Sequence, residues 1–312
     1  MTVQQQQRPK PVRKAGPVRS ARGYTPYLFL APYLVLFVGF VVIPAIYGIW
    51  LSLPDYDYLL PKHPWSGLSN YINLFTADSR DGADFWQSMA VTGIFTLISV
   101  PFLVAVPLGI AVLLNRKFPG RTFFRAVFFA PYVLGVAVVG VLFRFLLDPN
   151  IGMLNFYLDK VGMGRAIPWT TQLPWAWISL VAMTVWWTLG FNAIIYLAGL
   201  QDIAPELYEA ADVDGASAWR KFISITLPGL RPVMLFVLTL TILASANMFG
   251  QSFLLTQGAP ANETRSAVMF IANVGLSQYR QGAAAAMSYI LAVILIGISL
   301  LNFRLFRQKD DQ

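Results

Sequence analysis

Six long runs of apolar residues, separated by polar segments, dominate the pattern of this chain. They lie at 27–53, 86–114, 126–147, 175–199, 232–255 and 283–303. Each is long enough to cross the hydrocarbon core of a bilayer, which takes about 20 residues of α-helix. Five runs contain no Asp, Glu, Lys, Arg or His, and the exception is Arg144 near the end of the third. Because lipid offers the backbone no hydrogen-bond partner, each run is expected to be helical. The pattern predicts an all-α, polytopic membrane protein with six transmembrane helices.

Basic residues are distributed unevenly between the polar segments. With a cytoplasmic N-terminus, the inside segments are 1–26, 115–125, 200–231 and 304–312. The outside segments are then 54–85, 148–174 and 256–282. The inside segments hold 16 of the 23 Lys and Arg residues, and the outside segments hold 6 although they are longer in total. Since Lys and Arg accumulate in cytoplasmic loops, both termini are predicted to be cytoplasmic.

Composition supports the membrane class and restricts the chemistry. The chain is 56% hydrophobic and only 12% charged, which is untypical of a soluble globular domain. The net charge of +8 follows largely from the uneven loops, so it indicates no nucleic-acid partner. The basic segment 1–26 has no apolar core and is predicted to be a disordered tail near anionic headgroups rather than a signal peptide. There is no cysteine for disulfides or metal sites, and the lone histidine, His63, receives no role.

The polar segment between the fourth and fifth runs has an ordered spacing. It reads Glu209-Ala210-Ala211, three residues, Gly215, nine residues, and then Ile225-Thr226-Leu227-Pro228. Pro205 suits the first turn of a helix and Glu206 is favourable at the positive end of the helix dipole. We therefore expect one short helix from Pro205 to about Val213, ended by Gly215. A second is expected to carry an apolar face formed by Trp219, Phe222 and Ile223.

This pattern resembles the EAA loop in permease subunits of binding-protein-dependent ATP-binding cassette (ABC) importers. In that family the loop docks on a separate ATPase subunit. The resemblance implies that seven residues couple this chain to an ATPase: Glu209, Ala210, Ala211, Gly215, Ile225, Leu227 and Pro228. It also implies that the tail at 1–26 precedes a six-helix permease domain at 27–312. That domain would hold a MetI-like core at about 86–307 and a coupling loop at 200–230.

Three further blocks resemble the carbohydrate-uptake subgroup of this family, and within it the maltose permease "F" type. They are Gly67-Leu68-Ser69-Asn70-Tyr71, the stretch 121–155 and the stretch 199–260. The resemblance implies a second permease subunit, two ATP-binding cassette subunits and an extracytoplasmic solute-binding protein as partners. It implies a multi-pass protein of a bacterial or archaeal cytoplasmic membrane, in which the partner ATPases use ATP and Mg and this chain binds no cofactor. The extra N-terminal spans and large outer domain of the maltose type are absent, so the identity of the substrate does not carry over.

Uncharged polar residues recur at helical spacing in two runs. The fourth run has Thr184, Thr188, Asn192 and Tyr196, beside Trp186 and Trp187. The fifth has Thr241, Ser245 and Ser252 on one face, with Asn247 and Gln251 on an adjacent one. Hydroxyl and amide groups beside aromatic rings are what a sugar requires. The same side chains also join membrane helices by hydrogen bonds, so both interpretations stay open.

The family resemblance adds one position to this pattern and supports two others. Tyr132, after Ala130-Pro131, matches a family position near the sugar, and Thr241 and Ser245 match two more. The substrate pathway is therefore predicted to use seven residues, called the pathway residues below: Tyr132, Trp187, Thr188, Thr241, Ser245, Asn247 and Gln251.

The absence of several motifs narrows the function. No carboxylate or histidine lies in the middle of a run, which disfavours a proton-coupled carrier. No phosphate-binding Gly-x-x-x-x-Gly-Lys-Ser/Thr loop or paired catalytic set is present, so the chain is predicted not to be an enzyme. We predict the permease subunit of an ATP-driven importer, forming half of the pathway for a di- or oligosaccharide delivered by an external binding protein. The alternatives are a permease for a polyol or glycerol phosphate and an ATP-independent channel or scaffold.

Three local predictions can be compared with a structure. Pro101 and Pro107 are expected to bend the second helix. Arg144 and Asp148 are four residues apart and are expected to form an ion pair. A short surface helix is expected to end near Val161, with tryptophans of the following segment near the headgroups. These are Trp169, Trp175 and Trp177.

Overall fold

A computed structural model describes residues 25–76, 79–162 and 167–307 of the chain. The predicted tail therefore lies outside the described residues up to residue 24. The first half of the described chain forms α1 (Thr25–Phe37), α2 (Ile43–Leu51), α3 (Ser69–Phe75), α4 (Arg80–Asn115), α5 (Arg121–Val133), α6 (Gly135–Leu146) and α7 (Met153–Lys160). The second half forms α8 (Trp175–Gln201), α9 (Pro205–Val213), α10 (Ala218–Lys221), α11 (Leu227–Gly229), α12 (Arg231–Ala246), α13 (Ala267–Ala272) and α14 (Gln281–Arg307). Four π-helical segments lie at Val38–Val42, Phe222–Thr226, Ser252–Thr256 and Asn273–Ser277.

The chain divides into two compact units, Met1–Trp50 and Leu51–Gln312. In the first unit α1, the π segment and most of α2 form one apolar helical stretch. None of the side chains described there is buried. Lipid suits this stretch as its surroundings, because its side chains are apolar and a helix makes its backbone hydrogen bonds internally.

Within the described residues, four helical stretches are long and apolar enough to cross a membrane by themselves: Tyr27–Leu51, α4, α8 and Gln281–Asn302 of α14. Two bent pairs account for the remaining predicted runs. The helices α5 and α6 meet at 93°, and Ala218–Gly229 meets α12 at 69°. The chain is thus a mostly helical, polytopic membrane protein.

The prediction that each run is one helix was wrong for the third and fifth runs. The third breaks at Leu134, where the next residue, Gly135, has a φ of +72°. The fifth leaves α12 at Ala246 and becomes helical again in the π segment at Ser252. Irregular backbone at this depth is tolerated where it is buried in protein or lines a cavity. Apolar composition does not reveal such breaks, whereas α4 continues through Pro101 and Pro107 without one.

The core of the second unit is the pair α4 and α8. Phe95 of α4 packs in one buried cluster with Leu180 and Met183 of α8. Further along both helices, Leu108 packs in a second cluster with Leu197. The two helices therefore run parallel, and α12 runs against them because Leu230 and Val237 at its start join the second cluster. A third cluster joins α3, α4, α13 and α14.

This arrangement gives the second unit two ends. The clamped end, as we call it, comprises residues 52–75, 79–92 and 252–284. The loop end comprises residues 200–231. Asn302 of α14 donates to Thr239 of α12 at 2.7 Å, whereas the start of α14 packs near Phe85, so α14 also runs parallel to α4. The apolar helix α13 within the predicted outer segment 256–282 was not anticipated from the sequence.

The predicted ion pair between Arg144 and Asp148 is wrong. The Arg144 guanidinium donates to the Gln257 side chain at 3.5 Å, and the Asp148 carboxylate accepts from the backbone N–H groups of Asn150 and Ile151. Those two backbone hydrogen bonds are the main reason that the pKa of Asp148 is lowered, and Arg144 contributes least. The Asp148 carboxylate thus caps the turn that follows α6, and these local hydrogen bonds stabilise its charge. A short helix is present at the predicted position as α7, and its place at the membrane surface stays a prediction.

Candidate functional site

A cavity of about 710 Å³ lies between α8, α12 and the bend of the α5–α6 pair. The break after α12 forms part of its wall, because Asn247, Gly250 and Gln251 all line it. The remaining lining residues are Leu103, Tyr132, Val136, Ala137, Thr184, Trp187, Thr188, Phe191, Asn192, Leu240, Thr241, Ala244, Ser245, Phe249, Phe253 and Leu254. Its volume is in the range of sites that enclose organic ligands.

Three aromatic rings form one wall of the cavity. The ring of Tyr132 stacks on Phe191 with centroids 4.7 Å apart and on Trp187 with centroids 6.1 Å apart. Trp187 and Phe191 are one helical turn apart on α8, so both rings point to the same side. A wall of parallel rings offers flat apolar surface, which suits the apolar face of a sugar ring.

The hydroxyl groups of the cavity are largely engaged by their own helices. Thr188 donates to the carbonyl of Thr184 at 2.8 Å, and Thr241 donates to the carbonyl of Val237 at 2.8 Å. Ser245 shares a hydrogen bond with Ser99 of α4 at 3.3 Å. Because a hydroxyl has one donor and two lone pairs, Thr188 and Thr241 keep acceptor capacity for another molecule.

Two further polar side chains line the cavity. The buried indole N–H of Trp187 has no hydrogen bond to the described residues, and the Gln251 side chain is only 7% exposed. A buried polar group without a partner costs free energy, so a ligand that accepts a hydrogen bond from the Trp187 N–H would remove that cost. The lining contains no Asp, Glu, Lys, Arg or His. Within the described residues, no group of His, Asp or Glu side chains could hold a metal ion.

The structure brings all seven pathway residues to the lining of this one cavity. Their contact with substrate stays a prediction. Other polar residues of the same sequence pattern lie elsewhere. Tyr196 is fully buried in the packing cluster of α4, α8 and α12. Ser252 lies beyond the end of α12 and donates to the carbonyl of Thr264, so the predicted shared face with Thr241 and Ser245 is wrong. Trp186 faces away and packs on Phe143.

Some lining residues were not proposed as site residues from the sequence. Phe191 completes the aromatic wall, and Asn192 donates to the carbonyl of Leu103 at 3.1 Å. The signal for Phe191 was its position four residues after Trp187, but an isolated apolar residue at that spacing is typical of any packed helix.

The second candidate region is the segment from Pro205 to Pro228 at the loop end. The helix α9 runs from Pro205 to Val213 as predicted. The chain turns at Gly215, whose φ of +70° lies in the left-handed region that favours glycine. Ser217 then caps α10 by accepting from the N–H of Arg220, and the rings of Trp219 and Phe222 stack at 5.6 Å.

This loop is exposed and only lightly tied to the rest of the protein. No residue from Ala204 to Ile225 is buried. The Tyr208 and Thr226 hydroxyls lie 2.9 Å apart, and Lys221 pairs with Asp212 within the loop. The motif residues Glu209 and Gly215 are exposed and Ile225 is half-buried. Exposed apolar side chains surround them, among them Val213, Trp219, Leu207 and Ile223.

Comparison with known proteins identifies the family. The sequence profile of the binding-protein-dependent transport system inner membrane component matches residues 105–308, which is more than half of the chain. The chain belongs to this family. Among its relatives, the probable ABC transporter permease YesP of Bacillus subtilis (strain 168) is 32% identical over 282 residues, covering 89% of each chain.

Two other relatives are named for the sugars that they transport. The arabinooligosaccharides transport system permease AraP of Bacillus subtilis (strain 168) is 32% identical to this permease over 284 residues, or 90% of this chain and 88% of AraP. The trehalose/maltose transport system permease MalF of Thermococcus litoralis is 30% identical over 286 residues, or 91% and 94%. The permease also shares its fold with a chain of a bacterial ABC transporter that imports alginate, with a TM-score of 0.77 and 24% identity over 91% of this chain and 96% of that one.

Proposed function

We propose that this permease forms half of the translocation pathway for an uncharged di- or oligosaccharide in an ATP-driven importer. The cavity between α5, α8 and α12 contacts the sugar, and a second permease subunit provides the other half of the pathway. An extracytoplasmic binding protein delivers the sugar. Two ATP-binding cassette subunits use ATP and Mg and dock on the loop at 200–230.

The main support is that the seven pathway residues line one cavity that also has an aromatic wall and no charge. Sugars are bound by combining apolar stacking with hydrogen bonds to a few placed polar groups. The relatives AraP and MalF, named for arabinooligosaccharide and trehalose/maltose transport, favour the same class of substrate.

The alternatives are less well supported. Glycerol phosphate requires a compensating positive charge in a site of low dielectric constant, and no lining residue is basic. A polyol would leave much of a cavity of about 710 Å³ unfilled. A channel or scaffold that works without ATP disagrees with membership of the ABC permease family.

Coupling is proposed to use the loop end. Exposed apolar side chains on two short helices suit insertion into a groove of another protein. We propose that Glu209, Ala210, Ala211, Gly215, Ile225, Leu227 and Pro228 form this docking element. The corresponding topology has six spans, with the bent pairs counted as one span each, and cytoplasmic termini in a bacterial or archaeal membrane.

The test is transport by the reconstituted complex of both permeases, the ATPases and the binding protein. In Tyr132→Ala combined with Ser245→Leu, we expect uptake of radiolabelled oligosaccharide to fall while ATP hydrolysis stimulated by the binding protein persists. Each single variant should be partial, because one hydrogen bond contributes on the order of 1 kcal/mol.

Trp186→Ala is the matched control. It removes an aromatic ring next to Trp187 on α8, but from the side that packs on Phe143 outside the cavity. It should transport normally. Normal uptake by the double variant would instead mean that the pathway residues only pack the helices together.

A further inference from the structure

The helix α7 presents an apolar face to its surroundings. Met153, Phe156, Tyr157 and Val161 are 59%, 55%, 57% and 72% exposed. Their spacing of three, four and eight residues from Met153 places them on one side of the helix. Ile151, two residues before the first residue of the helix, is 68% exposed and extends the same apolar surface. A short helix with such a face requires something to cover it.

The opposite side of α7 is held firmly. The Asn155 amide donates to the carbonyls of Pro149 and Ile167, both at 3.0 Å. Its oxygen accepts from the N–H of Ile167 at 3.2 Å and from the indole N–H of Trp169 at 2.8 Å. Leu154 packs against the buried cluster of α4, α6 and α8. Because these contacts fix the rotation of α7, its apolar face has a defined direction.

The position of α7 along the chain indicates what covers it. It begins seven residues after the end of α6, whose Val141 and Phe145 are 60% and 67% exposed. The apolar part of α6 ends where Asp148 caps the turn, so the boundary between hydrocarbon and water is expected at this turn. Trp169 and Trp175, in contact at 5.0 Å, lie on the segment that Asn155 joins to α7. Tryptophans favour this boundary.

The charged residue Lys160 also lies on the apolar face of α7. The ammonium group of Lys160 lies 4.4 Å above the centre of the Phe156 ring. A lysine above an aromatic ring can place its carbon chain along apolar surface and its charge at the level of lipid phosphates. If the face bound a water-soluble partner, its four apolar side chains would be exposed to water whenever the partner dissociated, which costs free energy. Lipid would cover them at all times.

We propose that α7 is an interfacial helix that lies in the boundary between headgroups and acyl chains. Met153, Phe156, Tyr157 and Val161 enter the lipid, and Lys160 pairs with lipid phosphate groups. The helix thereby fixes the depth of α6 and of the bend beside the cavity. Amphipathic helices with these features bind the membrane interface by burying their apolar face.

The absence of cysteine from the chain permits a direct test. Phe156→Cys and Tyr157→Cys would each carry a nitroxide label in the full complex, in nanodiscs of phosphatidylethanolamine and phosphatidylglycerol. The labelled unsubstituted complex gives the background from partner thiols. We expect collisions with oxygen to exceed collisions with a water-soluble nickel chelate at both positions. Asp159→Cys, on the polar edge of the same helix, should show the reverse order.

Two further variants extend the test. Met153→Cys reports on the same face should a label at Phe156 disturb folding. Lys160→Glu should shift the label at Tyr157 toward water, because the headgroup phosphates then repel the helix. Labels at Phe156 and Tyr157 that behave like the one at Asp159 would overturn the proposal. So would labels that leave water only when the binding protein is added, since the face would then be a docking surface for that protein.

Discussion

The clamped end joins its elements through charged and polar contacts, whereas the loop end exposes several apolar side chains. Arg280 pairs with Asp81 at 2.6 Å and Arg265 pairs with Asp84 at 3.2 Å, which joins both sides of α13 to the first turns of α4. Four buried hydroxyl groups add to this. They belong to Ser252, Thr256, Thr264 and Ser266.

At the loop end Lys221 pairs with Asp212, and several apolar groups are exposed. Trp219 is 68% exposed and Val213 is 89% exposed. Apolar surface exposed to water is unfavourable, and a patch of this kind is typical of a site that another molecule covers. The clamped end therefore contacts itself, whereas the exposed groups of the loop end are available to the partner that the proposed function assigns to it. Substitutions at the clamped end should therefore reduce stability, whereas substitutions at the loop end should reduce coupling to the ATPase.

The comparison depends first on the two ends lying on opposite sides of the membrane. A reporter active only in the cytoplasm should be active when fused at Asp202 or Gln312 and inactive at Asn70 or Asn262. The expected effect is all or none, because a loop is either translocated or retained. Activity at Asn262 with none at Asp202 would reverse the orientation and remove the ATPase from the loop end.

The next largest effect is expected in the loop. Gly215→Pro should abolish uptake and ATPase docking while membrane insertion persists, because proline cannot adopt the φ of +70° found there. Glu209→Lys should have the same consequence through reversal of an exposed charge. Co-purification of the ATPase subunits and uptake measure both.

Gly215→Asn is the matched control for the proline variant. Asparagine tolerates the left-handed region, and a Cβ added at Gly215 meets no atom within 4 Å. It should keep most of the transport activity. Wild-type uptake by Gly215→Pro or Glu209→Lys would refute the coupling role of the loop.

At the clamped end we expect loss of stability with coupling retained. The Arg265 side chain is 14% exposed, donates to Ser88 at 3.3 Å and lies above the Phe270 ring. Arg265→Ala should lower the free energy of unfolding by about 1–3 kcal/mol, because the buried Ser88 loses a charged hydrogen bond and Asp84 loses its ion pair. Thermal inactivation of the complex in nanodiscs measures the effect.

The second ion pair of the clamped end provides the control. Arg280 is 41% exposed, so Arg280→Ala should cost less than about 1 kcal/mol. Equal losses of unfolding free energy in Arg265→Ala and Arg280→Ala would mean that the burial of an ion pair does not determine its contribution to stability here. Loss of ATPase docking in either variant would contradict the separation between the two ends.

The smallest effect concerns the cavity between the ends. A Cβ added to Gly190 of α8 would lie 2.5 Å from the Cα of Phe129 and closer still to the carbonyl oxygen of Phe128. Gly190→Ala should push α5 and Tyr132 away from Trp187, with an overpacking cost of about 1–3 kcal/mol. We expect partial loss of sugar uptake with ATP hydrolysis retained. Gly93→Ala on α4 meets no atom within 4 Å and should transport normally.

Much of the local structure could be predicted from the sequence. Runs without charge predict membrane helices because lipid excludes unpaired polar groups, and α4, α8 and α14 agree with the predicted positions. The helix α9 begins at Pro205 and ends before Gly215, because these residues favour a helix start and a left-handed turn by their own geometry. The family pattern around Glu209 could likewise be recognised from the sequence, because all its residues lie in one short segment.

The tertiary structure alone decided the rest. It bends the third run at Leu134, and it separates Ser252 from the face of Thr241 and Ser245. It directs Arg144 to Gln257 rather than to Asp148, and it places Phe191 in the wall of the cavity. Each outcome depends on residues far apart in the chain, whose contacts compete with the regular spacing along one helix. Helical periodicity states which residues could share a face, and only packing decides which of them meet.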